Sequence, residues 1–216
     1  MKGVAITAFM ILSVVALKAQ GLNNAPLPGD TAMENWLVQQ KIPILALGVI
    51  RNGEIVKSHV YGKLKNGQPA PINTIFNVAS LTKPIVAYLS LVLASQRKWN
   101  IDEPLENYWV DPDIRNDPRH KLLTTRLVLS HQTGFSNWRW NNASGKLEFN
   151  FDPGTQYSYS GEGFEYLRKA MEKKTGKRLD SLAKEYIFGP FGMKDTRFTW
   201  TDAIESRFAI GFNREG

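Results

Sequence analysis

Residues 76–95 read FNVASLTKPIVAYLSLVLAS, and this stretch decides the fold. Ile85 to Ala94 is long and mostly apolar, which predicts a buried helix. Pro84 stands just ahead of it and has no N–H, a feature helices tolerate only in their first turn. The helix must therefore begin near Ser80. Ser80 then lies at a helix N-terminus, where the dipole and the unbonded N–H groups favour developing negative charge. Lys83 follows three residues on, on the same face. An amine there can take the Ser80 proton if burial neutralises it, or lower the pKa of a neighbouring base if it stays charged. The competing reading is a helix-capping serine beside a surface lysine. Ser95–Lys98 and Ser181–Lys184 share the same spacing, so spacing alone is weak. Ser95 closes the polar end of the apolar helix, and Ser181 reads as a cap near the start of another.

Composition narrows the classes. The 216 residues are 43% hydrophobic and 22% charged, near the globular average, which argues against disorder, collagen and coiled coil. The absence of cysteine removes disulfides, thiol nucleophiles and iron–sulfur clusters. With three histidines and no HExxH, no metal site and no cofactor are expected. The net charge of +7 comes from scattered residues. The densest group, Lys173, Lys174, Lys177 and Arg178, reads as a solvated helix end, so no nucleic-acid partner is expected.

Residues 1–20 carry the pattern of a secretory signal peptide: Lys2, the apolar run 3–17, then Lys18-Ala19-Gln20. The run is shorter than the roughly 20 residues of a spanning helix, so no stable membrane span is expected after its removal. An exported chain without cysteine points to a bacterial envelope, periplasmic or secreted. Residues 21–30 read as a linker and 31–216 as the start of one domain. Thr31–Gln40 is a predicted helix with Asp30 or Thr31 as cap. Residues 44–62 form a predicted hairpin turning at Asn52-Gly53. A mostly helical region follows over about 80–190, with Thr124–His131, Gly161–Lys174 and Leu179–Phe188 as helices. Residues 100–123 read as an irregular connection. The layout is α/β.

Four segments carry a resemblance. FNVASLTKPIVA (76–87) resembles the first motif of the serine β-lactamase and penicillin-binding-protein superfamily. TTRLVLSHQTGFS (124–136), PGTQYSYSGEGFEYL (153–167) and IFGPFGMKDTRF (187–198) are similar to the segments that follow it in the class C branch. The similarity spans roughly residues 31–215. It implies an antiparallel sheet flanked by helices, with C-terminal strands and a final helix beyond what this chain supplies. On that comparison the chain is expected to be C-terminally truncated, and poorly soluble or nearly inactive when expressed alone.

The resemblance also implies roles. Ser80 matches the acylated nucleophile, Lys83 the motif lysine and Tyr159 the motif tyrosine, which would relay protons. Tyr157 could compete with Tyr159, but the Pro153-Gly154-Thr155 frame favours Tyr159. The motif Asn is replaced by Gly161 at a substrate-binding position. Glycine offers no amide, which weakens β-lactam hydrolysis in favour of esterase or peptidase-like activity. Lys174-Thr175-Gly176 mimics the third motif but reads as a helix stop. His131 reads as structural. Trp138 and Trp140 either line a cleft or pack the helical region. The expected function is an exported serine hydrolase acting through an acyl-enzyme on an amide or ester. Its partner would be a small-molecule or peptidoglycan-derived acyl substrate. A non-catalytic peptidoglycan-binding protein, or an inactive fragment on the same scaffold, is the alternative.

Overall fold

The structure is a computed structural model that describes residues 29–211. The proposed signal peptide and most of the linker lie outside those residues. Two compact units divide the chain: one holds the residues up to Asn77 together with those from Asp202 onward, the other Val78–Thr201.

In the first unit, helix α1 (Asp30–Gln40) precedes strands β1 (Ile44–Arg51) and β2 (Glu54–Gly62). The strands pair antiparallel from Ile44↔Gly62 to Arg51↔Glu54, with an irregularity between Val49 and Ile50. The turn residues Asn52 and Gly53 have φ of 51° and 82°, the geometry of a tight hairpin turn. The cap of α1 differs from the sequence expectation. Gly29 is the N-cap and Asp30 already belongs to the first turn. The Asp30 carboxylate instead accepts hydrogen bonds from the Tyr61 hydroxyl at 2.6 Å and from Lys57 Nζ at 2.8 Å. A long-range pair of charge-assisted bonds has outcompeted a local cap. Strands β3 (Ile75–Phe76) and β4 (Phe208–Ala209) form a short parallel pair. Arg207 Nη1 donates to the Asn73 carbonyl at 2.7 Å beside it. Among the described residues, no third strand pairs with β1 or β2.

The second unit carries the main core. A 3-10 turn (Ala79–Leu81) runs straight into helix α2 (Thr82–Ser95). Pro84 is the third residue of α2, where its missing N–H costs no intrahelical bond. Val86, Leu89, Ser90 and Leu93 form its buried stripe, the i, i+3, i+4, i+7 pattern of one helix face. The Ser90 hydroxyl donates to the Val86 carbonyl at 2.8 Å, so the stripe buries no unpaired polar group. The connection over 100–123 contains three 3-10 turns: Leu105–Asn107, Pro112–Ile114 and Pro118–Leu122. Asp111 and Asp117 cap the second and third through their side chains, each ahead of a proline.

Helix α3 (Thr125–Leu129) is capped by the Thr124 hydroxyl, which accepts from the Leu127 N–H at 3.3 Å. Helix α4 (Gly161–Thr175) is capped by Ser160 and closed by Gly176 in the left-handed region, φ 67°. Its core face, Tyr166, Leu167, Ala170 and Met171, packs with Leu89, Leu93 and Leu105 in one buried cluster. Helix α5 (Leu179–Ala183) passes into a π turn (Lys184–Phe188). Ser181 is the third residue of α5 and Arg178 its N-cap, so Ser181 does not cap it. Lys174-Thr175-Gly176 is the end of α4, and Lys174 there pairs with Glu103 at 3.1 Å.

Candidate active site

Ser80 occupies the 3-10 turn that leads into α2, directly after Ala79, whose φ is +44°. A positive φ at a residue with a Cβ is a strained conformation that recurs at functional turns. The tight turn leaves Ser80 exposed. One turn further, Lys83 Nζ donates to Ser80 Oγ at 3.1 Å. The same ammonium sits 4.7 Å from the centre of the Tyr159 ring and 5.6 Å from that of Phe164. Hydrogen bonding from Lys83, and secondly from Ser80, holds the Tyr159 phenol below its ordinary pKa. Three side chains from two distant segments thus meet around one hydroxyl. Tyr157 lies further out, 69% exposed against 39% for Tyr159.

His131 underlies this group. Its Nδ1 accepts from the Ser160 N–H at 3.0 Å, and its carbonyl accepts from the Ser158 N–H at 2.9 Å. Its ring lies 4.5 Å from that of Tyr159, tilted by 30°. An accepting Nδ1 places the ring proton on Nε2. Burial, and then the positive charge of Lys83, pushes the imidazole pKa down, so the ring stays neutral and keeps that acceptor. His131 is a positioning residue, holding both ends of the segment that presents Tyr159.

Gly161 opens α4 two residues after Tyr159. Its N–H donates to the Asn137 carbonyl at 3.0 Å and to Asn137 Oδ1 at 2.9 Å, and the Glu162 N–H donates to the same carbonyl. The Glu162 side chain turns to Arg139. Arg139 N and Nε each donate to Glu162 Oε1 at 3.1 Å, and Nη2 donates to Oε2 at 2.9 Å. Arg139 also reaches Asp111 and Asp113, both at 3.0 Å. These bonds raise the guanidinium pKa above its ordinary value. Glu162 therefore faces structure, not substrate. His131 has the structural role read for it in the sequence, whereas Asn137 and Arg139 were not legible as site supports, because each acts on a segment remote in sequence. No metal-binding group of histidines or carboxylates occurs among the described residues.

The β-lactamase family model matches residues 20–216, and the chain belongs to that family. Its fold is β-lactamase/transpeptidase-like, here with helices and a small antiparallel sheet. Among curated relatives, it is 25% identical over 215 residues to the esterase EstB of Burkholderia gladioli, covering 85% of this chain and 54% of that protein. Among solved structures, it resembles the D-alanine carboxypeptidase AmpC from Burkholderia cenocepacia with a TM-score of 0.71 at 21% identity, covering 85% of this chain and 53% of that one. The octameric penicillin-binding protein homologue from Pyrococcus abyssi gives 0.68 at 20% identity, covering 87% and 48%. The chain thus spans about half the length of these relatives.

Proposed function

We propose that the protein is an exported serine hydrolase that cleaves an ester or amide through an acyl-enzyme. The 3.1 Å contact between Lys83 Nζ and Ser80 Oγ, beside a phenol that the same two groups acidify, carries the reading. As Ser80 Oγ attacks the carbonyl carbon, its proton passes to the Lys83–Tyr159 pair. The Ser80 N–H, in the 3-10 turn that leads into α2, supplies one donor to the oxyanion. Collapse expels the alcohol or amine, which takes the proton back from Tyr159. Water activated by the same pair then releases the acid and restores Ser80.

The name of the Burkholderia gladioli relative and the missing carboxamide at Gly161 favour esters over β-lactams. The pattern of residues 1–20 supports export to the envelope or medium. The test is hydrolysis of 4-nitrophenyl acetate by the full-length protein. Ser80→Ala is expected to abolish turnover, and Lys83→Met or Tyr159→Phe to cost about 10²–10⁴-fold. Equal rates in wild type and Ser80→Ala would overturn the reading.

A further inference from the structure

The glycine that departs from the motif has a structural reason. A Cβ placed on Gly161 would lie 2.7 Å from Cη2, 2.8 Å from Cζ2 and 3.0 Å from Cζ3 of Trp138. Carbon atoms do not pack that closely. The indole requires a glycine at 161, and the glycine leaves the space that the indole fills. Ser160, between Tyr159 and Gly161, is extended with φ −138° and ψ 120°. Positions 159 and 161 therefore project to the same side. Ser160 projects to the other, its buried hydroxyl donating to the Ser136 carbonyl at 2.9 Å. The benzo edge of Trp138 thus fills the space where a side chain at 161 would begin, on the side of the chain from which Tyr159 projects.

Trp138 is also clamped on both sides. Asn137 binds the first two N–H groups of α4, Arg139 grips the Glu162 carboxylate, and the Trp138 N–H itself donates to Asn141 Oδ1 at 3.1 Å. Trp140 stacks on it, with ring centres 5.0 Å apart and planes within 12°, and remains 67% exposed. A stacked indole pair with Trp138 half-buried and Trp140 exposed, tied down through the Glu162 and Asp111 carboxylates, is unlike core packing, which hides both rings.

We propose that Trp138, backed by Trp140, is the substrate wall of the Ser80 site and selects substrates that place a planar aromatic group beside the reacting carbonyl. The wall offers dispersion and ring stacking but no acceptor, so an amide lying there would lose its water without a partner. The proposal rests on Ser80 being the nucleophile, and the test separates the two.

Methylboronic and phenylboronic acids both add a serine oxygen to boron, forming a tetrahedral adduct with no bond broken in the protein except O–H. Only the phenyl compound carries a ring for the wall. In the full-length protein, phenylboronic acid should inhibit ester hydrolysis at least about tenfold more tightly than methylboronic acid, a gap typical of one buried aromatic contact. Trp138→Ala should bring the ratio near one while moving the methylboronic constant by less than about threefold, and Trp138→Phe should keep most of the gap. If Trp138→Ala does not fold, Trp138→Leu serves in its place. Gly161→Asn alone should weaken both inhibitors, and adding Trp138→Ala should restore methylboronic binding, since the space is then free. An unchanged phenyl-to-methyl ratio in the Trp138 variants overturns the wall. Failure of methylboronic acid to bind wild type, or inhibition indifferent to Ser80, overturns the nucleophile instead.

Discussion

Arg139→Met removes the hub of the charge network beneath the site while keeping a similar aliphatic stem. Arg139 satisfies Glu162, Asp111 and Asp113 at once, through side-chain bonds of 2.9–3.1 Å. The Glu162 and Asp111 side chains are only 6% and 2% exposed. Methionine would strand these carboxylates away from water. Breaking a buried ion pair by deleting one partner costs about 3–5 kcal/mol. Some partners survive: Lys169 Nζ lies 3.6 Å from Asp111, the Leu147 N–H still donates to Asp113, and the backbone N–H at position 139 still reaches Glu162. The expected loss is therefore at the low end, about 3 kcal/mol, a fall in Tm of about 6–12 °C for a chain of 216 residues. Urea titration at neutral pH, with the slope held equal between the two proteins, measures it. A loss under about 1 kcal/mol would show that the carboxylates find water or other partners easily, and that the network does not fix the Trp138 loop.

Two further outcomes follow from the pKa shifts. The Tyr159 phenol loses its proton at a lower pH than a free tyrosine because Lys83 hydrogen-bonds it. Hydrolysis should rise with pH through that ionisation and level off above it. Lys83→Met should move the Tyr159 tyrosinate absorbance, taken as the difference from Tyr159→Phe, to higher pH; no movement would contradict the assigned cause. The His131 pKa is depressed in the folded chain, so the unfolded chain binds that proton first. Its stabilising contribution is present above the unfolded pKa of about 6.5 and is lost as pH falls through the folded value. His131→Gln should flatten that part of the Tm–pH curve; an identical slope in both proteins would show that His131 is not protonated on unfolding.

Local chemistry made much of the fold legible. Pro84 dates the start of α2, Asn52-Gly53 marks the hairpin turn, and Gly176 marks the stop that separates a helix end from a catalytic triplet. These signals act within a few residues. The pairing of β3 with β4 was not legible, since two-residue strands carry no periodicity. The π turn after α5 likewise has no pattern of its own. At the site, Ser80 and Lys83 could be paired from helical spacing, whereas Tyr159 needed the resemblance to place it. Gly161 read in the sequence as a missing amide that disfavours β-lactams, and the structure adds that it is one half of a fitted pair with Trp138. That pairing depends on Arg139 and Asn137 binding the first turn of α4, contacts between separate segments that no local pattern encodes.

Every step of the proposed chemistry depends on Ser80 being the nucleophile. A fluorophosphonate carrying a reporter group, added briefly to the full-length protein and followed by peptide mass spectrometry, tests it directly. The serine oxygen displaces fluoride and keeps the phosphonyl mass. One adduct is expected, on the peptide containing Ser80, absent in Ser80→Ala and slowed by Lys83→Met. Labelling of another residue, or the same labelling in Ser80→Ala, would contradict it.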